Sequence, residues 1–143
     1  MELSYRRAQI LELPQILAQC FENVKRYEDF SRVDQAEALS AVRRKVQKQM
    51  FKYTVAEKDG TAVGCYYMHP AGGRMELEDF YVFESYRGQG VGTRMLRDCQ
   101  AKANGALWLR VFAGNVRAIG FYIRLGFHIR GEAQDGMLWM QCI

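Results

Sequence analysis

Tyr86-Arg87-Gly88-Gln89-Gly90-Val91-Gly92-Thr93-Arg94-Met95-Leu96 sets three glycines at alternate positions behind one arginine. A helical pattern starts at once. Val91, Met95, Leu96, Cys99 and Ala103 fall on one face, with Arg94, Arg97, Asp98 and Lys102 on the other. Just before the loop, Met75–Phe83 (MELEDFYVF) is aromatic-rich and predicts a strand. A helix start leaves backbone N–H groups without partners and carries the positive end of the helix dipole. Glycines remove side chains that would hold a ligand away and permit unusual dihedrals. Strand, loop and helix together therefore predict an anion pocket suited to a phosphate or pyrophosphate. Arg87 and Arg94 add positive charge.

The spacing excludes two common pockets. A G-x-G-x-x-G fingerprint would need glycine where Thr93 or Met95 stands, and the chain has no Gly-Lys pair for a P-loop. Alone, the motif is also compatible with a glycine-rich turn that binds nothing.

Outward from the loop, the helix ends at Asn104-Gly105. Leu107–Phe112 predicts a strand. Asn115 can cap a short helix that ends at Gly126. Strands at about Phe127–Glu132 and Met137–Cys142 are joined by Asp135-Gly136. On the N-terminal side, residues 2–7 alternate weakly and predict a first strand. Pro14 sits in the first turn of a helix carrying Ile16, Leu17, Cys20, Phe21 and Val24 as its apolar stripe. A second helix is expected from about Asp34 to Met50. A hairpin of Lys52–Lys58 and Ala62–Met68 turns at Asp59-Gly60, and Ala71-Gly72-Gly73 turns again. The order is β-α-α-β-β-β-α-β-α-β-β, a mixed α/β domain.

At 143 residues the chain reads as one domain, 1–143, able to build a core without disulfides or metals. Its net charge of +4 suits a small polyanionic ligand and is too weak to argue for nucleic acid. The cluster Arg43-Arg44-Lys45 with Lys48 and Lys52 reads as a solvated helix face. Cys20, Cys65, Cys99 and Cys142 form no CxxC pair and read as reduced core residues. No leader and no membrane-length apolar run is seen, so the expectation is a cytoplasmic protein with no membrane or nucleic-acid partner. His69 and His128 show no ligand spacing and read as structural or exposed, and no metal motif is present.

A second motif lies downstream. In Asn115-Val116-Arg117-Ala118-Ile119-Gly120-Phe121-Tyr122-Ile123-Arg124-Leu125-Gly126-Phe127, Asn115, Ala118 and Tyr122 lie close on one helical side. Taken alone, Tyr122 reads as a core aromatic rather than a catalyst. Together the two segments resemble the GNAT superfamily of N-acetyltransferases. Its coenzyme loop, Arg/Gln-x-x-Gly-x-Gly/Ala, is matched by Arg87, Gly90 and Gly92. Its later motif, Asn-x-x-Ala-x-x-Phe-Tyr-x-x-x-Gly-Phe, is matched by Asn115, Ala118, Phe121, Tyr122, Gly126 and Phe127. The order of elements fits the family over almost the whole chain.

The resemblance implies a mixed, mostly antiparallel sheet flanked by about four helices and splayed where acetyl-coenzyme A (acetyl-CoA), the co-substrate, binds. The pyrophosphate would sit on the amides of Arg87, Gly88, Gln89, Gly90, Val91, Gly92 and Thr93. The pantetheine arm would pair with the backbone of Phe80, Tyr81 and Val82, helped by Asn115. The implied activity is direct acetyl transfer to a primary amine, with Tyr122 as proton donor to the leaving sulfur.

An amine with a pKa of about 10 arrives charged at neutral pH and needs a base. Glu76, Glu78 and Asp79 are the candidates. Strand alternation puts Glu76 and Glu78 on one face and Asp79 on the other, unless a bulge intervenes. Leu77-Glu78-Asp79-Phe80-Tyr81-Val82 is similar to a segment of the diamine and polyamine acetyltransferase branch, which favours Glu78 as base with Asp79 supporting. Tyr27-Glu28 sits where that branch has a Tyr-Glu facing the polyamine, so Glu28, Asp29 and Glu76 are candidate acceptor contacts. A small amine is the expected acceptor. A protein amine, or a non-catalytic acyl-CoA sensor, stays open. By analogy a homodimer stays open, in which the tail strand Leu138–Cys142 could exchange or pair.

Overall fold

The computed structural model describes residues 1–143. Its elements are β1 (Ser4–Arg7), α1 (Leu13–Tyr27), α2 (Gln35–Gln49), β2 (Thr54–Lys58), β3 (Thr61–Ala71), β4 (Arg74–Val82), α3 (Val91–Lys102), β5 (Leu107–Phe112), α4 (Val116–Arg124), β6 (His128–Glu132) and β7 (Met137–Cys142). The order is the one expected from the sequence. Short 3-10 turns at Met50–Lys52 and Glu84–Tyr86 separate α2 from β2 and β4 from the glycine loop.

Local chemistry sets the boundaries. Pro14 lies in the first turn of α1, where its missing N–H is no loss. Asp34 caps α2, its carboxylate accepting the Glu37 N–H at 3.0 Å, a contact worth about 1 kcal/mol. Asp59-Gly60 and Gly72-Gly73 both hold positive φ at both positions, the two-residue loop that matches strand twist. The second of these carries β3 to Ala71, three residues past the expected Met68, because Ala71 pairs directly with Arg74.

The seven strands form one sheet in the order β1-β2-β3-β4-β5-β7-β6. Only β4 and β5 are parallel, and they pair at just two positions, Glu76–Trp108 and Leu77–Leu109. Beyond Leu77 they diverge. α1 and α2 cover one face over Val46, Tyr53, Val55, Cys65 and Phe83. α3 and α4 cover the other over Leu77, Met95, Leu96, Leu109 and Met140. All four cysteines are buried and unpaired. No helix is long and apolar enough to cross a membrane.

Gly64 on β3 lies so close to β4 that an added Cβ would stand 2.6 Å from the Tyr81 carbonyl oxygen. Glu12, only 5% exposed, accepts from Arg6 at 2.8 Å and from the Gln9 N–H at 2.7 Å, while Arg6 also bonds Glu57 at 3.1 Å.

The expected edge-to-edge pairing of the tail strand with a partner is not available in this sheet. β7 is paired on both sides, to β5 and to β6. Leu138–Cys142 therefore has no free edge for a partner's strand, and the sheet's outer strands are β1 and β6.

Candidate active site

The divergence of β4 from β5 opens the middle of the sheet. A bulge in β4 shapes its inner end. Tyr67 pairs with Glu78 and Cys65 with Tyr81, so Tyr66 alone faces both Asp79 and Phe80. Asp79 takes φ +49°, a left-handed conformation that Asp tolerates better than most residues. The extra residue resets the alternation. Leu77, Phe80 and Val82 pack toward α3 and α4, whereas Tyr81 packs toward α1 and α2. Asp79 thus shares a face with Glu78 instead of opposing it, which corrects the simple strand parity.

The two carboxylates meet at one cation. Lys45 Nζ on α2 lies 2.9 Å from Glu78 Oε1 and 3.4 Å from Asp79 Oδ2. Asp79 also accepts from the Tyr53 hydroxyl at 2.7 Å, and Gln49 donates to that hydroxyl at 3.0 Å. Glu78 Oε2 contacts His69 Nε2. The other ring nitrogen of His69 faces the Pro70 carbonyl at 3.2 Å, and the ring stacks on Tyr67 at 4.4 Å. Burial alone would raise the Glu78 carboxyl, but the Lys45 charge and the bonds from Lys45 and His69 outweigh it and hold it below the usual range. Burial opposes the Lys45 ammonium, and the charges of Asp79 and Glu78 more than compensate. Glu76 lies nearby, 3.6 Å from Arg74 Nε.

Glu76, Glu78, Asp79 and Lys45 line a cavity of about 290 Å³, together with Phe80, Asn115 and Tyr122. A second cavity of about 450 Å³ runs from Phe80, Tyr81 and Val82 to the glycine loop. Phe80, Tyr81, Asn115 and Tyr122 line both, so the two spaces meet at the splay. Tyr122 is 9% exposed, packed edge-on against Phe80 and Phe121. Burial raises its hydroxyl well above the usual phenol value, so at neutral pH it keeps its proton. Asn115 caps α4 by accepting the Ala118 N–H at 3.2 Å, which leaves its amide NH2 for the cavity.

The glycines divide the work at the loop end. Gly88 and Gly90 hold φ of +75° and +83°, and Gly90 is the residue from which α3 starts. Gly92 allows close approach: an added Cβ would lie 3.3 Å from Val82 and 3.5 Å from Phe121. Val91 is buried, and Thr93 lines the cavity. Gln89 bonds the Ser85 carbonyl at 3.2 Å. Arg87 turns inward, donating to the Val82 carbonyl at 3.0 Å and to Gln19 at 2.8 Å, so it ties the loop to β4 and α1. Arg94 pairs with Asp98 at 3.2 Å and is absent from the lining. Arg26, Arg117 and Arg124 are the further cations there. An open row of strand amides, a helix start and several arginines form a cradle that fits a long ligand with a pyrophosphate.

Three groups sit differently from what the sequence leads one to expect. Lys45 belongs to the acid cluster and not to a plain solvated face, although 41% of its side chain stays open. Its spacing three residues after Val42, on the apolar side of α2, was the available signal. His69 also belongs to the cluster, by cross-strand placement that no sequence spacing announces. Glu28 and Asp29 line a separate depression with Arg32 and Asp135. Asp29 is engaged locally, accepting from the Ser31 N–H and hydroxyl.

A sequence model of the acetyltransferase (GNAT) family matches residues 10–127. The chain belongs to this family. The spermine/spermidine N(1)-acetyltransferase of Bacillus subtilis (strain 168) is 34% identical over 65 residues, 42% of this chain and 43% of that protein. The match therefore spans less than half of that curated relative. The fold is that of GNAT proteins. The PaiA N-acetyltransferase of Thermoplasma acidophilum, solved in complex with coenzyme A, superposes with a TM-score of 0.70 at 17% identity, covering 99% of this chain and 98% of that one. Apo YjaB from Escherichia coli gives 0.69 at 22% identity, covering 99% and 97%.

Proposed function

We propose that this GNAT-family protein moves an acetyl group from acetyl-CoA directly to a primary amine. The observation that carries the reading is the meeting of the two cavities. One is bounded by an anion cradle and open strand backbone, the other by carboxylates, and Tyr122 lines both. Family membership and the coenzyme A complex of a structural neighbour support the choice of co-substrate.

Acetyl-CoA supplies an activated acetyl group as a thioester. In the proposal the amides of 87–93 and the lining arginines hold its pyrophosphate. Phe80–Val82 offer backbone pairing to its arm, and Asn115 donates its free amide. Glu78 takes a proton from the incoming ammonium and passes it through His69 toward solvent. Asp79, held by Tyr53, keeps a second negative charge beside the amine. A backbone N–H at the bulge stabilises the charge that builds on the thioester oxygen. Tyr122 protonates the departing sulfur.

The acceptor class we propose is a small diamine or polyamine. Three carboxylates, Glu76, Glu78 and Asp79, line the acceptor cavity, and the partial relative in B. subtilis carries a spermine/spermidine name. Glu28 and Asp29 would hold a far ammonium only if the chain of the acceptor reached their depression.

Release of the coenzyme A thiol against spermidine, lysine peptides and aminoglycosides tests the reading. Turnover with spermidine above the others supports it. Turnover only with lysine peptides moves the acceptor to protein amines. Tight coenzyme binding with no turnover of any amine would make the protein an acyl-CoA sensor.

A further inference from the structure

Lys45 is the one amine already inside the acceptor cavity. Its Nζ lies between Glu78 and Asp79, within ion-pair distance of both, in the cavity that Tyr122 also lines. It sits where an acceptor ammonium must sit to hand its proton to Glu78. Its four-carbon stem can shift while the helix stays fixed, because Val46 beside it is fully buried and anchors α2. We propose that Lys45 is a self-acetylation site, modified from acetyl-CoA when no external amine is present. The inference rests on the reading of the site as an acetyltransferase centre with Glu78 as base.

The step balances. The ammonium gives one proton to Glu78, which returns it to solvent through His69. The neutral Nζ forms a bond to the acetyl carbon as the carbon–sulfur bond breaks. The second nitrogen proton replaces the one Tyr122 donates to the sulfur. The products are an amide at Lys45 and free coenzyme A thiol. Acetylation removes the positive charge that pairs with Glu78 and Asp79, so the two carboxylates are left for an external cation. A cationic acceptor present from the start competes for the same place and protects Lys45.

The chain holds six lysines, Lys25, Lys45, Lys48, Lys52, Lys58 and Lys102, which gives five internal controls. The full chain is incubated with acetyl-CoA and no amine, and acetylation is mapped by peptide mass spectrometry. Lys45 should be modified first, to one acetyl per chain. Glu78→Gln should slow that modification by about a hundredfold or more, the usual effect of losing a general base. Trace labelling with acetic anhydride, in protein without the coenzyme, reads placement independently. There Lys45, paired to two carboxylates, should react more slowly than the five other lysines, the reverse of the order with acetyl-CoA. Acetylation from acetyl-CoA spread evenly over the lysines, or equally fast in Glu78→Gln, overturns the proposal. Amine turnover measured in parallel keeps the two readings apart. Turnover without Lys45 modification sinks self-acetylation alone, whereas no coenzyme binding at all sinks the acetyltransferase reading and this one with it.

Discussion

Gly64→Ala probes how the splay is built. An alanine Cβ at this position would lie 2.6 Å from the Tyr81 carbonyl oxygen and 2.8 Å from Met95 Sδ. Non-bonded heavy atoms settle at about 3.5–4.0 Å, so something must move by roughly an ångström. The Met95 sulfur can swing aside. The carbonyl belongs to β4 and cannot move without the strand. Overpacking of this kind costs about 1–3 kcal/mol. Gly64 is not among the glycines with positive φ, so alanine would by itself stabilise by about 0.4–1 kcal/mol through the unfolded state. The clash wins, leaving a net loss of about 1–2 kcal/mol. For a chain of this length that lowers Tm by roughly 3–7 °C. Because Tyr81 lines both cavities, affinity for coenzyme A should fall as well. Gly114→Ala is the control, with nothing within 4 Å and no positive φ; it should leave Tm unchanged or slightly raised. Differential scanning calorimetry with coenzyme titration reads both quantities. A Gly64→Ala protein as stable as the parent would refute the close packing of β3 on β4.

Three further outcomes are expected. Glu78→Gln should lower kcat by about a hundredfold or more with coenzyme affinity unchanged, and a full-speed variant would move the base elsewhere. Tyr122→Phe should slow release of the thiol while leaving Tm within a few degrees, since the ring packing against Phe80 and Phe127 persists; unaltered turnover would return Tyr122 to a purely structural role. Glu12 tests linkage: the hydrogen bond from Arg6, against some opposing burial, holds its carboxyl below the value of 4.5. Its folded-state pKa is depressed, so its contribution is complete above about pH 4.5 and is lost as pH falls through the folded value. Glu12→Gln should therefore cost stability at pH 7 and progressively less toward pH 3. A gap in Tm that stays constant with pH would contradict the pairing.

Most of the fold was legible because its signals are local. The glycine loop, the Asn115 cap and the two-residue turns each fix a boundary within a few residues. The site was legible only in part. Glu78, Asp79 and Tyr122 could be picked out by resemblance, but their arrangement depends on the β4 bulge, which arises from pairing with β3 and leaves no composition mark on β4. Lys45 and His69 reach Glu78 from separate elements, 33 and 9 residues away in the chain. Such meetings are set by tertiary register, not by spacing. Arg87 carries the opposite lesson. It fits a ligand-binding motif, yet in the structure its guanidinium is engaged by Gln19 and the end of β4.

The two-pair contact between β4 and β5 also turns the usual stability gradient of a sheet inside out. Amides at the centre of a sheet are ordinarily its best protected, and those at the outer strands its least. Here the β5-facing amides between Glu78 and Val82 lie in the middle of seven strands without a strand partner. Deuterium should enter this central seam as readily as it enters an outer strand. A ligand that pairs with the seam would act as a temporary strand, joining two half-sheets into one and slowing exchange on both β4 and β5. The chain thus leaves unmade a part of its own hydrogen-bond ladder, and anything that completed it would have to come from outside.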